Sequence, residues 1–390
     1  MDASIKYDTI YHLRNEQPSR VRRVDVHRDS NYSIHFFEGS LRKCAAIIDR
    51  WIDETKSLVV TTPTVKSFYG DTLVDMLRSA GQQVELKELD CIEASKTLSQ
   101  VERVCAWVQE AELGRNGVLV SLGGGVCTDI VKMAASLARR GISFICVPTT
   151  LIGQVDAGIG IKGAINFGGM KSYLGCFYPP TEVLIAPTFL QSLPQNRLRE
   201  GFAEIVKMAI VRDTVLMDLI ETYGLELMEN QFQNPTTKAK KVLLHSIMRM
   251  IEELEVNFYE DQTYERLVDF GHTFSPILEE ETKHELSHGQ AVAVDIALST
   301  VLSGKLGILD IDCQEQILSL MKSLNLPIWV PELTLLLCRK ALRKAALHRC
   351  GHPNLVLPTR IGEAVFLKDI NVLSDTMLEE GIQLLAEMAE

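Results

Sequence analysis

Residues 121–129 read Ser-Leu-Gly-Gly-Gly-Val-Cys-Thr-Asp, directly behind the apolar run GVLVSL and directly ahead of a helical pattern. Glycines at such a turn let backbone amides approach a pyrophosphate, and the helix N-terminus adds partial positive charge. The same run also serves as a plain strand-to-helix turn, and it lacks the G-x-G-x-x-G spacing of the Rossmann fingerprint. Farther along, Glu204 in GFAEIVK, His272 in DFGHTF and His288 in HELSHGQ offer one carboxylate and two imidazoles. That donor set suits a catalytic zinc that keeps coordination positions open for substrate. The spacing is not that of H-E-x-x-H, and His284, four residues before His288, competes as a ligand. A third group, Pro148-Thr149-Thr150 followed by Asp156, Lys162, Asn166 and Lys171, begins where the run ISFICVP ends. Lysines at the carboxyl end of a strand can hold a phosphate as point charges, or can be solvated loop cations.

Elements that position these residues follow from the hydrophobic pattern. Six short β-rich runs, SIHFF, SLVVT, QVELKEL, GVLVSL, ISFICVP and EVLIAP, alternate with LRKCAAIIDRWI, DTLVDMLRSA, SQVERVCAWVQEA and TDIVKMAASLARR. The latter carry apolar residues at helical spacing, and Gly141 stands where the last should stop, so parallel strands joined by helices are expected. After Pro187 the chain turns to long amphipathic segments, REGFAEIVKMAIVRDTVLMDLIETYG and TKAKKVLLHSIMRMIEELEVN among them, which read as helices. The predicted fold class is α/β, with a nucleotide-binding domain over 1–190, a mainly helical metal- and substrate-binding domain over 191–390, and the site in the cleft between them.

Composition narrows the partners. The formal charge of −11 argues against a nucleic-acid ligand held by phosphate contacts, while a local basic pocket for a small phosphorylated molecule remains compatible. Nine cysteines without a C-x-x-C pair read as reduced thiols, and no stretch approaches the roughly 18 apolar residues of a membrane span. A cytoplasmic protein is expected.

Three segments, PTTLIGQVDAGIGIKGAINFGGMKSYLG, REGFAEIVKMAIV and LVDFGHTFSPILE, occur in the order found in dehydroquinate synthases and their relatives, and the resemblance spans roughly residues 30 to 370. It implies that Glu204, His272 and His288 bind the metal, zinc or else cobalt, and that His284 is a bystander. It further implies NAD contacts from Glu93, Lys96, Gly124, Gly125, Asp129, Thr149, Thr150, Lys171 and Ser192. Asp156, Lys162, Lys207 and Arg266 would face substrate, and Arg140 resembles an arginine that reaches a neighbouring subunit's phosphate site, which implies a homodimer.

Departures from the dehydroquinate synthase pattern point to a branch. Asp269 and Pro276 stand where Asn and His are usual in N-F-G-H-T-x-G-H, and His348-Arg349 stands where a lysine pair is expected. A carboxylate in the pocket would repel a substrate acid group, so the ligand should lack one. DFGHTFSP together with HRCGHPNLVLPTRIG is similar to the branch that cyclises sedoheptulose 7-phosphate, especially 2-epi-5-epi-valiolone synthases, with Asp269 and His348 facing the polyol. Such an enzyme oxidises its substrate transiently, eliminates phosphate, reduces, opens the ring and closes it by an aldol step, so NAD is recycled. 2-epi-Valiolone synthase and dehydroquinate synthase are the near alternatives. A metal-dependent polyol dehydrogenase would instead accumulate NADH, and a catalytically silent binding protein on the same fold would turn over nothing.

Overall fold

In the computed structural model the described residues are 7–10, 19–22, 31–37, 39, 41–52, 56–283 and 285–390. Strands β1 (Tyr7–Ile10) and β2 (Ser19–Arg22) form an antiparallel hairpin within one compact unit, Met1–Asn31. Everything from Tyr32 on belongs to a second unit.

That unit is built on six parallel strands, β3 (Ser33–Phe36), β4 (Lys56–Thr61), β5 (Gln83–Glu88), β6 (Val118–Gly123), β7 (Ser143–Pro148) and β10 (Glu182–Ile185), in the order β3-β10-β7-β6-β4-β5. All six coincide with the expected runs. The four inner strands β4, β6, β7 and β10 are near-continuously apolar because both their faces are buried, whereas the edge strands β3 and β5 are partly exposed and mix polar residues in. Val59, Val120 and Val147 point to one face, against Cys44, Ile48 and Ile52 of helix Leu41–Ile52 and Leu73 and Leu77 of helix Asp71–Ser79. Leu58, Val60, Leu119 and Phe144 point to the other, where helices Leu98–Glu110 and Gly125–Leu137 contribute Val104, Ile130 and Val131.

Strand order reverses between β4 and β6: β4 leads outward to β5, whereas β6 leads to β7 on its other side. Ligands of open α/β sheets settle at the carboxyl ends of strands at such a switch point. The glycine run ends β6, and Thr149 and Thr150 follow β7. The part of the cationic and polar run from Lys162 to Lys171 lies on an antiparallel hairpin, β8 (Lys162–Phe167) with β9 (Met170–Phe177).

From Gln195 on the chain is mainly helical. The long amphipathic segment over 199–224 is divided between two helices, Gln195–Arg212 and Thr214–Glu229. Asp213 divides them: its backbone is extended (φ −147, ψ 100) and its carboxylate accepts the Leu216 amide at 2.9 Å, which caps the second helix. Helix Gln195–Arg212 is buried on nearly every side and packs on helix His288–Lys305. The approach requires Gly289, because a Cβ there would stand 2.3 Å from the Glu200 backbone. One turn beyond Glu200 is Glu204, and next to Gly289 is His288, so this close packing sets two candidate ligands side by side. A late hairpin, β11 (Leu355–Arg360) with β12 (Glu363–Leu367), packs on the same helix through β11. No described helix is long and apolar enough to cross a membrane.

Candidate active site

Glu204, His272 and His288 converge, with one ligand atom from each lying within 4.8 Å of the others. Glu204 Oε1 is 3.7 Å from His272 Nε2 and 3.5 Å from His288 Nε2, and it accepts a hydrogen bond from neither. Tetrahedral ligands bound at about 2.1 Å to a common ion stand roughly 3.4 Å apart, so the three atoms are spaced as ligands rather than as hydrogen-bond partners. The outer nitrogens support the same reading. His272 Nδ1 is 3.0 Å from the Phe270 carbonyl and His288 Nδ1 is 3.0 Å from Glu279 Oε1, contacts that orient both rings with Nε2 toward Glu204. These residues therefore fit a divalent ion. His284 lies outside the described residues.

The turn that carries His272 is held from the other ligand helix. Asp295, two turns after His288 and fully buried, accepts the backbone amides of Thr273 (2.8 Å), Phe274 (2.5 Å) and Ser275 (2.9 Å) on one oxygen, and the Ser299 hydroxyl (3.1 Å) reaches the other. Asp295→Ala leaves three buried donors without an acceptor and is expected to lower stability by about 3 kcal/mol or more. Asp295→Asn keeps an acceptor oxygen and should lose less. Denaturant midpoints of the two variants check this.

Charges crowd around the centre. Lys207, one turn after Glu204 and 2% exposed, places Nζ 2.5 Å from Glu204 Oε2. Burial opposes ionisation of Glu204, but Lys207, His272 and His288 hold its carboxyl well below the usual range. Burial and then the charge on Glu204 push Asp156 up to about 6. Burial and the Lys207 ammonium push His272 down to about 4. Burial alone would lower His288 as well, yet Glu279 and Glu204 hold it up at about 9. A negative field of that kind at Nε2 favours a proton or a metal cation.

Residues at the switch point form a second group. Gly124 caps helix Gly125–Leu137 with extended backbone (φ −80, ψ −174), and a Cβ on it would meet Thr150 Cγ2 at 2.9 Å. The turn is thus bare backbone facing the threonine pair, and Thr149 Oγ1 is buried without a hydrogen bond. Lys96 is buried and donates to Asp129 at 2.7 Å, with Glu93 3.9 Å away and bonded to Asn166 through its side chain. Ser192 shares a 2.8 Å hydrogen bond with the Tyr69 hydroxyl. Bare amides at a helix N-terminus, a buried hydroxyl lacking a partner and buried ionic anchors fit a pyrophosphate-containing cofactor. Lys171, on β9, is paired with Glu279.

A third group holds Lys162 and Arg266, both paired with Glu260. Arg266 also donates to Asp269 at 2.7 Å, and the second oxygen of Asp269 is 3.1 Å from Arg349 Nη2. Two expectations change here. Asp269 is not a bare carboxylate, because two guanidiniums bridge it. His348 does not turn toward the site. It is exposed on the last turn of helix Leu335–His348, while Arg349 is buried. The buried stripe of that helix runs through Cys338 and Leu342, and Arg349 continues it where His348 does not. Arg140 is exposed, with φ 67. Sequence reading missed Glu279, Glu260 and Asp295 as members of the site, and named Arg349 without giving it a role.

Comparison with known proteins identifies the lineage. The 3-dehydroquinate synthase N-terminal domain matches residues 87–200 and the 3-dehydroquinate synthase C-terminal domain matches residues 201–345. The chain belongs to the dehydroquinate synthase family. It is 41% identical over 320 residues to 2-epi-5-epi-valiolone synthase of Streptomyces hygroscopicus subsp. jinggangensis (strain 5008), covering 81% of this chain and 77% of that protein. With 2-epi-5-epi-valiolone synthase of Streptomyces glaucescens it shares 36% identity over 366 residues, or 92% of each. The solved structure of ValA, the 2-epi-5-epi-valiolone synthase of S. hygroscopicus subsp. jinggangensis 5008 with NAD+ and Zn2+ bound, superposes with a TM-score of 0.88 at 38% identity, covering 94% of this chain and 99% of that one. The family's two-part architecture, a parallel sheet with helices followed by a helical half, is the one expected from the sequence.

Proposed function

We propose that this dehydroquinate synthase family member is a 2-epi-5-epi-valiolone synthase, a phosphate-eliminating lyase that closes sedoheptulose 7-phosphate into a C7 cyclitol with loss of phosphate. The observation that carries the reading is the pairing of Asp269 with Arg266 and Arg349, in a chain whose full-length relatives bear that name. Asp269 engages Nη2 of each guanidinium with a protein carboxylate, which disfavours a carboxylate of the substrate at that position. What remains suits a neutral polyol carrying a phosphate.

Glu204, His272 and His288 would hold Zn2+, with Co2+ a substitute, and Gly124, Gly125, Thr149 and Thr150 would cradle NAD. Asp129, Lys96, Glu93, Lys171 and Ser192 complete the cofactor side. Bound together, these groups would supply a reversible hydride acceptor and a Lewis acid for the substrate's oxygens. Lys207, aimed at the metal ligands from the same helix face as Glu204, can donate a proton or hydrogen bond to a substrate oxygen there. Asp156, which keeps a proton up to about pH 6, adds a second proton-holding group beside the centre. Lys162 and Nη1 of Arg266, both paired with Glu260, receive the phosphate, for which Glu260 must give way. Arg140 would extend this site from a second copy of the chain, making the enzyme a homodimer. We place the boundary between cofactor and metal domains near residue 190. The nine cysteines are all free, which supports a reducing, cytoplasmic setting.

Because the hydride returns to the substrate-derived molecule, turnover should release phosphate with no lasting rise in absorbance at the wavelength of reduced NAD. Stoichiometric NADH in step with product would contradict the cyclase reading and favour a dehydrogenase.

A further inference from the structure

We propose that Glu279 is a positioning residue whose single carboxylate serves the metal ligand His288 and the cofactor-side Lys171, and thereby couples metal binding to NAD binding. The inference rests on the assignment of Lys171 to the cofactor made above. Glu279 is 3% exposed on the short helix Ser275–Glu281, which begins three residues after His272. Its Oε1 lies 3.0 Å from His288 Nδ1, and its Oε2 pairs with Lys171 on β9. A buried carboxylate needs a countercharge, and His288 and Lys171 are in direct contact to supply it.

The coupling follows from the sharing. An imidazole that carries a cation on Nε2 has a more acidic Nδ1–H and binds the Glu279 carboxylate more strongly. Lys171 then holds a smaller share of that carboxylate and is freer to meet an anionic cofactor. In the reverse direction, NAD phosphates that draw on Lys171 leave more negative charge on Glu279, which makes His288 a better ligand. Linkage requires the two effects to be equal, so metal and NAD should each tighten the other by the same factor.

The test uses purified full-length protein stripped of metal, with zinc affinity read by competition against a chelator in the absence and presence of saturating NAD. NAD affinity is measured separately by quenching of protein fluorescence. The wild type should bind zinc about fivefold or more tighter with NAD present. Glu279→Gln keeps an acceptor for His288 Nδ1 but loses the charge. It should bind zinc roughly tenfold more weakly and show no dependence on NAD, with shifted visible bands when loaded with cobalt. Lys171→Met leaves the Glu279 carboxylate to His288, so it should bind zinc at least as tightly as the wild type and also lose the dependence. A Glu279→Gln protein with wild-type zinc affinity and an unchanged NAD effect would overturn the proposal, as would a coupling that survives Lys171→Met. Failure of the wild type to bind NAD would overturn the cofactor reading and the coupling together, and the cobalt spectrum of Glu279→Gln would still decide the role of Glu279 at His288.

Discussion

Alanine at Glu204, His272 or His288 is expected to remove the bound metal and to lower turnover by about a thousandfold or more. The magnitude follows from losing several kcal/mol of charge stabilisation at a reacting oxygen, at 1.36 kcal/mol per factor of ten. Stability should respond differently at the three positions. Glu204 is fully buried beside Lys207 at 2.5 Å, so Glu204→Ala strands an ammonium in the interior and should also destabilise the fold, by about 3 kcal/mol or more. His272 and His288 are half-buried, and their loss leaves no comparable charge without a partner. Metal content, turnover and denaturation midpoint measured on all three variants check the account. Full metal occupancy in any one of them would remove that residue from the ligand set.

The second large effect is expected at the Asp269 bridge. Asp269→Ala releases Arg266 and Arg349 and adds one net positive charge at the polyol end of the proposed site. Removing the common partner of two mostly buried guanidiniums should cost about 3 kcal/mol of binding or stability, near a hundredfold if expressed in turnover of the heptulose phosphate. The same change opens two cationic donors to an acidic substrate, so the ratio of rates on an acid-bearing and a neutral heptulose phosphate should shift toward the acid. NAD affinity should stay as it is, since the described partners of the Asp269 carboxylate are Arg266 and Arg349, neither of them on the cofactor side. Arg349→Met offers the reciprocal test, because it leaves Asp269 paired with Arg266 alone and should weaken heptulose turnover without improving the acid. An unchanged substrate ratio in Asp269→Ala would remove Asp269 from the determinants of specificity.

Much of this architecture is legible in the sequence because it depends on local pattern. A strand covered on both faces must be continuously apolar, so the four inner runs stood out, the two edge runs showed by their β-rich composition, and all six form the parallel sheet. Glu204 and Lys207 share a face because helical spacing dictates it. The hairpin β8–β9 was hidden because charged and glycine residues interrupt its alternation, and the hairpin β11–β12 was passed over even though Gly362, at φ 87, stands between two apolar runs. Asp213 before Thr-Val-Leu-Met carried a readable capping signal that divides the long helical segment. The metal set was a different matter. His272 and His288 are 16 residues apart and meet Glu204 through tertiary contacts, the Gly289 packing for His288 and the Asp295 hydrogen bonds for the His272 turn, so resemblance to a family rather than spacing pointed to them. Glu260, Glu279 and Asp295 act through partners in other elements, and no local pattern announces such pairings. His348 and Arg349 show the limit at one-residue resolution, since a helix end decides which of two neighbours turns inward.

The central claim concerns the substrate, and side-by-side incubation tests it most directly. Purified enzyme with NAD and Zn2+ is given sedoheptulose 7-phosphate in one reaction and the seven-carbon acid phosphate used by dehydroquinate synthase in another, with phosphate release followed and the products read by NMR. The account predicts phosphate release from the heptulose, with 2-epi-5-epi-valiolone as the product and no accumulation of NADH, and little or no reaction with the acid. Preferred turnover of the acid would contradict it and return the protein to dehydroquinate synthesis.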